Sequence, residues 1–237
     1  MLKNTLNSLI LSISLIFFTF NSNAIESIAK TALLIDLSTG EVLINKNSEE
    51  RTYPSSMTKI MTALMAFEKI KDGTLSMDQE FLISKKAWKM GGSKMFIEVD
   101  KKVKVSDLLL GVVVQSGNDA SIAIAEGISG SEETFAIEMN NLAKKIGLTN
   151  TNFVNSSGWP NDNHYTTAKD LAKIAEYTLN EHPELYEMYA ITEFTYGGIK
   201  QDNRNPLLYS FDGTDGFKTG HTQAAGYGLV GSAERGD

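Results

Sequence analysis

Pro54-Ser55-Ser56-Met57-Thr58-Lys59 is the stretch on which both fold and chemistry turn. Pro54 precedes a helical pattern: Met57, Ile60, Met61, Leu64, Met65 and Phe67 recur at spacings of three and four, and Lys71 to Gly73 ends it. The methionine-rich stripe reads as packed core rather than a cofactor surface. Ser56 stands at the start of this helix with Lys59 three residues on, so both side chains share one face, one turn apart. A serine hydroxyl is a weak nucleophile until a base removes its proton, and a lysine amine serves when burial or a neighbouring cation lowers its pKa. The helix N-terminus also favours negative charge developing on Ser56. Taken alone, the spacing is common by chance, and a capping serine beside a surface lysine is the better account of it.

Outward from this helix, the N-terminal side reads as a hairpin: Ala32 to Leu37, a break at Ser38 to Glu41, and Val42 to Ile44. On the C-terminal side, Lys85 to Lys104 is basic, with Gly91-Gly92 in its middle, and reads as an exposed loop with short strands. Ser106-Asp107 is expected to cap a helix over Leu108 to Val114. Ser116-Gly117-Asn118 interrupts it, and helices resume over Ala120 to Ile128 and Glu132 to Ile146. Thr167-Ala-Lys-Asp170 resembles a capping box, with Asp in the place of Glu, opening a helix to about Asn180. Strands then return. Ile191 to Tyr196 and Ile199 to Asn203 flank a Gly197-Gly198 turn, and Phe217 to Thr219 and Tyr227 to Ala233 follow. Strands at both ends with helices between predict an α+β fold in which the termini join in one antiparallel sheet beside a helical lobe.

The chain has 237 residues, 22 Lys+Arg against 29 Asp+Glu, a formal charge of -7 and 42% hydrophobic residues. That is a globular composition, and the acidic balance argues against nucleic-acid binding, which needs a basic footprint. There is no cysteine, so disulfides and thiolate metal sites are excluded, and the three histidines (His164, His182, His221) lack a ligand spacing. No metal or cofactor is expected. Met1-Leu2-Lys3, the mostly apolar run Leu9 to Phe20 and the small-residue ending Ser22-Asn23-Ala24 have the tripartite layout of a secretory signal peptide over residues 1–24. An uncleaved anchor is the alternative, but 12 residues fall short of the roughly 20 that a membrane span needs. Residues 25–237 then form the folded domain of an exported protein.

Two more segments carry chemistry. Ser116-Gly117-Asn118 is a polar tripeptide between apolar helical stretches. Ser116 is suited to relay a proton and Asn118 to donate to a substrate amide carbonyl, or the three form a plain interhelical turn. In Asp215-Gly-Phe-Lys218-Thr219-Gly220-His221-Thr222, a strand edge offers Lys218 as a positive field, Thr219 as a hydroxyl for a carboxylate and Gly220 as a place without a side chain. An ordinary exposed strand end is the alternative.

Ser-x-x-Lys, then Ser-x-Asn about 60 residues on, then Lys-Thr-Gly about 100 further, is similar to the ordered motif set of penicillin-binding proteins and serine β-lactamases. The flanks sharpen the likeness. Pro54 to Met61, Gln115 to Ala120, His164 to Ala168, Asn203 to Leu207 and Asp215 through Tyr227 together resemble the low-molecular-mass D-alanyl-D-alanine carboxypeptidases of the penicillin-binding protein 5 type.

The resemblance implies a β-lactamase/transpeptidase-like fold. In it Ser56 is the acylated nucleophile, Lys59 its base and Ser116 a partner in proton transfer. Asn118, Lys218, Thr219 and Gly220 line the cleft. The backbone N–H groups of Ser56 and His221 form the oxyanion hole, with the His221 ring shaping the wall, and Arg204 either sets the field around Lys218 or holds the substrate carboxylate. His164 and His182 read as structural or exposed. The implied partners are a peptidoglycan stem peptide as substrate and β-lactams as covalent inhibitors, in the periplasm or cell envelope. Relatives of this type continue beyond the equivalent of Asp237 with a strand, a helix and, in most, a small β domain and a membrane-binding helix. The domain is therefore expected to be C-terminally incomplete, with any membrane association supplied by an absent segment. The rival activities are a D,D-endopeptidase of crosslinks, a β-lactamase, and a non-catalytic wall-binding or β-lactam-sensing protein.

Overall fold

The computed structural model describes residues 27–236, so the signal-peptide assignment at 1–24 lies outside the described residues. Its elements in chain order are β1 (Ala32–Ile35), β2 (Val42–Lys46), α1 (Thr58–Lys71), β3 (Glu80–Leu82), α2 (Lys85–Lys89), β4 (Lys102–Lys104), α3 (Val105–Val113), α4 (Asn118–Ser129) and α5 (Glu132–Lys145). They continue with α6 (Ala168–Glu181), α7 (Pro183–Tyr186), β5 (Glu193–Tyr196), β6 (Ile199–Asp202), α8 (Leu207–Ser210), β7 (Thr214–Thr222) and β8 (Gly226–Ala233). A 3-10 turn, Ser55–Met57, leads into α1, and a second, Glu187–Ala190, follows α7.

The helix expected after Pro54 is present, and it is more central than its stripe suggested. Every residue from Thr58 to Phe67 is buried, because α1 is enclosed by α3, α4, α5, α6 and β7. Ile60, Met61, Ala63, Leu64, Ala66 and Phe67 are fully inaccessible and anchor the core. A helix surrounded on all sides has no polar face to show in its periodicity. Its polar residues Thr58, Lys59 and Thr62 must then find partners inside the protein.

Other expectations hold with informative exceptions. The Gly197-Gly198 turn joins β5 to β6 with Tyr196 opposite Ile199, and both glycines have positive φ, as a two-residue hairpin turn of this hand requires. Thr167 caps α6 by accepting from the Asp170 N–H at 3.0 Å. The Asp170 carboxylate does not return to Thr167; it accepts from the Asn150 N–H at 2.8 Å and the Thr151 hydroxyl at 2.7 Å instead. Ser106 is not a cap. Helix α3 starts at Val105, and the first N–H groups of Val105 and Ser106 are taken by the carbonyls of Gln79 and Met77. Residues 85–104 are not a plain exposed loop, since α2 forms there and Met95 and Ile97 are buried.

The expected single sheet is corrected. Among the described residues the strands form four separate two-stranded antiparallel sheets, and the N-terminal β1–β2 hairpin does not pair with the C-terminal β7–β8 hairpin. Between them runs an open groove lined by Leu33, Leu43, Leu171, Ala175, Phe217 and Val230. Alternation along a strand tells which face is buried but not which edge finds a neighbour. Among the described residues, no helix is long and apolar enough to cross a membrane.

Candidate active site

The site forms where the start of α1, the α3–α4 junction and β7 meet. Strand β7 packs directly on the 3-10 turn that carries Ser56, and it can do so because of one glycine. A Cβ at Gly220 would lie 2.9 Å from the Pro54 carbonyl oxygen and 3.2 Å from both Met57 Cγ and Ser55 Cβ. The missing side chain therefore makes room for the protein's own backbone. The turn is also tied down by its neighbour. Ser55 adopts a left-handed conformation, φ 49°, and its hydroxyl shares a 3.1 Å hydrogen bond with Thr222 on β7. Such strain in a non-glycine residue persists only where the surroundings hold it.

Lys59 is completely buried and has three partners. Its Nζ lies 3.1 Å from Ser56 Oγ, 2.8 Å from Asn118 Oδ1 and 2.6 Å from the Ser157 carbonyl oxygen. The three-residue step from Ser56 in the 3-10 turn to Lys59 in the first turn of α1 thus brings nucleophile candidate and base candidate into contact. Burial, then the charges of Lys218 and Arg204, hold the Lys59 ammonium well below its usual pKa, against a smaller opposing pull from Asp119. A neutral amine is what a general base requires.

The α3–α4 junction supplies the second wall. Ser116 is buried and left-handed, with φ 60°, and Asn118 opens α4. Asn118 is divided between two duties: its Oδ1 accepts from Lys59, and its Nδ2 donates to the Gly91 carbonyl at 2.8 Å. Asp119, not singled out from sequence, braces the junction. Its carboxylate accepts from the backbone N–H groups of Met95 at 3.0 Å, Phe96 at 2.9 Å and Ile97 at 3.4 Å. This holds the 95–97 segment, including the left-handed Phe96, against the cleft. An acid in the first turn of a helix was the available signal.

Strand β7 supplies the third wall. Lys218 is buried, and among the described residues its side chain makes one hydrogen bond, to the Thr219 carbonyl at 3.1 Å. Burial, then the Arg204 guanidinium, push its pKa down to about 7. Arg204 reaches across from the loop after β6 and donates to Ser93 Oγ at 2.5 Å, and Gln201 donates to the Lys94 carbonyl at 3.0 Å. Lys218 and Arg204 thus place positive charge along one side of the cleft, an arrangement that suits an anionic ligand. The His221 ring is exposed and stacks on Tyr227 with centroids 4.2 Å apart.

His164 and His182 are both buried, so the exposed alternative is dropped. His164 Nδ1 accepts from the Val154 N–H at 3.2 Å, and Nε2 then donates to Thr58 Oγ1 at 2.8 Å. Burial pushes its pKa down to about 4, so the ring is neutral at pH 7. His182 packs under α1 with its Nε2 2.8 Å from Glu68. Among the described residues, no group of three or more His, Asp or Glu side chains is placed to hold a metal ion.

The family model described as D-alanyl-D-alanine carboxypeptidase matches residues 19–237. D-alanyl-D-alanine carboxypeptidase DacF of Bacillus subtilis is 40% identical, with 100% of this chain and 64% of that protein covered. The crystal structure of penicillin binding protein 5 from Haemophilus influenzae superposes with a TM-score of 0.85 at 41% identity, over 87% of this chain and 61% of that one. Penicillin-Binding Protein D2 from Listeria monocytogenes, solved in the ampicillin-bound form, gives 0.79 at 32% identity, over 88% and 85%. The α+β, transpeptidase-like architecture expected from the motifs is thus the architecture of its solved neighbours. The chain spans between 53% and 64% of the length of the first curated relatives it matches.

Proposed function

The chain belongs to the D-alanyl-D-alanine carboxypeptidase family, and on that premise we propose that it is a serine-type D,D-carboxypeptidase of peptidoglycan stem peptides. One observation carries the proposal: a buried lysine, depressed in pKa, within hydrogen-bond reach of a serine in the 3-10 turn that leads into its helix. Neutral Lys59 takes the Ser56 proton as Oγ attacks the carbonyl between the last two D-alanines. The oxyanion is received by the backbone N–H groups of Ser56 and His221; losing such a donor typically costs about 3 kcal/mol of barrier. Ser116 passes the proton to the departing amine. D-Ala leaves, and water hydrolyses the acyl-enzyme.

The substrate's free carboxylate gives the cationic wall its purpose. Lys218 and Arg204, with the Thr219 hydroxyl, supply the positive end of the cleft, and a carboxylate bound there raises the proton affinity of Lys218. Asn118 has an N–H left for a substrate amide carbonyl beyond the one given to Gly91. The same geometry accepts a β-lactam, whose acyl group stays on Ser56 because the leaving group remains tethered. Export to the cell envelope, by way of residues 1–24, brings the enzyme to its substrate.

The test is a D-Ala release assay on the full-length protein with a pentapeptide, beside covalent labelling by a fluorescent penicillin. D-Ala release and labelling are expected from the wild type and neither from Ser56→Ala. Labelling that survives this substitution refutes the nucleophile. Cleavage of crosslinked dimers in preference to pentapeptide makes the protein an endopeptidase, rapid penicillin turnover makes it a β-lactamase, and binding without any release makes it a sensor.

A further inference from the structure

Behind Lys59 lies a second layer that none of the three motifs contains. Glu132, the first residue of α5, is 9% exposed. Its Oε1 accepts from the Ser156 N–H at 3.0 Å and from the Ser156 hydroxyl at 2.7 Å, while Oε2 lies 3.0 Å from Lys86 Nζ. The Ser156 carbonyl in turn accepts from Thr62 Oγ1 of α1 at 2.6 Å. All three polar atoms of Ser156 are therefore held. The next carbonyl along the chain, that of Ser157, is the one that accepts from Lys59.

This matters for the direction of the Lys59 amine. A neutral amine has two N–H bonds and one lone pair. With the N–H bonds committed to Ser157 O and Asn118 Oδ1, the lone pair is left pointing at Ser56 Oγ. Without the Ser157 acceptor the amine can rotate about its last bond and lose that alignment. We propose that Glu132 is a positioning residue for acylation: its carboxylate fixes Ser156, and through it the Ser157 carbonyl that aims the Lys59 lone pair at Ser56. The inference rests on the assignment of Ser56 as nucleophile and Lys59 as base.

The charged and titratable groups facing Lys59 are Asp119 from α4, Lys218 from β7 and Arg204 from the loop after β6, with neutral His164 on the far side of Thr58. Glu132 faces Lys86, and Glu133 shares that lysine. The rate of covalent labelling by a fluorescent penicillin is measured against pH on full-length wild type, Glu132→Ala, Glu132→Gln and Lys86→Ala, each checked for folding by thermal melt. Glu132→Gln keeps an oxygen that accepts from both Ser156 donors and labels at close to the wild-type rate. Glu132→Ala labels ~10-fold more slowly, the order of loss that a small misplacement of a reacting group produces. The rising limb of its rate–pH profile moves to lower pH, because a weakened acceptor stabilises the Lys59 ammonium less. Lys86→Ala keeps the wild-type profile.

A folded Glu132→Ala with the wild-type rate and limb overturns the proposal. So does a Glu132→Gln as slow as the alanine variant, or a Lys86→Ala that reproduces its loss. If Glu132→Ala fails to fold, Ser156→Ala, which removes one of the two donors, must slow labelling and move the limb in the same direction, and an unchanged limb overturns the proposal. A wild type that is never labelled refutes instead the nucleophile assignment beneath it.

Discussion

Lys218→Met is expected to make the protein more stable and less able to react, and the size of the gain should depend on pH. Lys218 is 2% exposed and faces Arg204; burial, then that guanidinium, hold its pKa at about 7 against an unfolded value of 10.5, and a backbone acceptor at Thr219 does not offset them. Between these values the unfolded chain binds a proton that the folded protein does not, so this group's penalty shrinks as pH rises from 7 toward 10.5 and is full below 7. At pH 7 the penalty comes to about 4 kcal/mol, and at pH 9 to about 2 kcal/mol. Methionine fills a similar volume without a charge to desolvate. Denaturant unfolding of the full-length wild type and Lys218→Met at pH 7 and pH 9 reads the difference directly. The variant's advantage should be about 2 kcal/mol larger at pH 7 than at pH 9, while penicillin labelling collapses. An advantage that is the same at both pH values, or a variant less stable than wild type at pH 7, refutes the claim that Lys218 is an uncompensated buried cation waiting for a carboxylate.

Two further substitutions probe the frame around the serine. Gly220→Ala drives a methyl against the Pro54 carbonyl and forces β7 off the 3-10 turn, so it should cost about 1–3 kcal/mol of stability and slow acylation as Ser56 and the His221 N–H part. Unchanged melting and labelling would show that the turn and strand need not touch. Asp119→Ala strips the acceptor from three successive N–H groups at 95–97 and should cost about 3 kcal/mol. It also removes the Asp119 charge, which pulls the Lys59 pKa upward, so the rising limb of acylation should move to lower pH; a limb moved upward would contradict this.

Local pattern carried much of this site. The three-residue step from Ser56 to Lys59 needs only the regularity of a helix, and the apolar repeat through Phe67 announces that helix. The Gly197-Gly198 turn and the Thr167 cap are equally local, since each is a few adjacent residues meeting a backbone requirement. Asp119 and Glu132 were less visible. Both are first-turn acids, a place where a carboxylate ordinarily serves the helix's own N–H groups, and only packing turned them toward Met95–Ile97 and Ser156. Asp170 makes the same point: it has the position of a capping-box acid, yet its carboxylate serves Asn150 and Thr151.

By sequence alone, this protein was determined to be a globular α+β chain without cysteine, with a serine–lysine pair one helical turn apart and two further motifs in a fixed order. Tertiary structure alone decided that the lysine is buried and held below its usual pKa, that Gly220 admits the backbone of the serine turn, and that the two terminal hairpins stand apart among the described residues. The physical reason is common to all three. Desolvation, close approach and edge pairing belong to a residue's neighbours in space, and a decisive neighbour such as the Ser157 carbonyl is a group that every residue carries and no side chain announces.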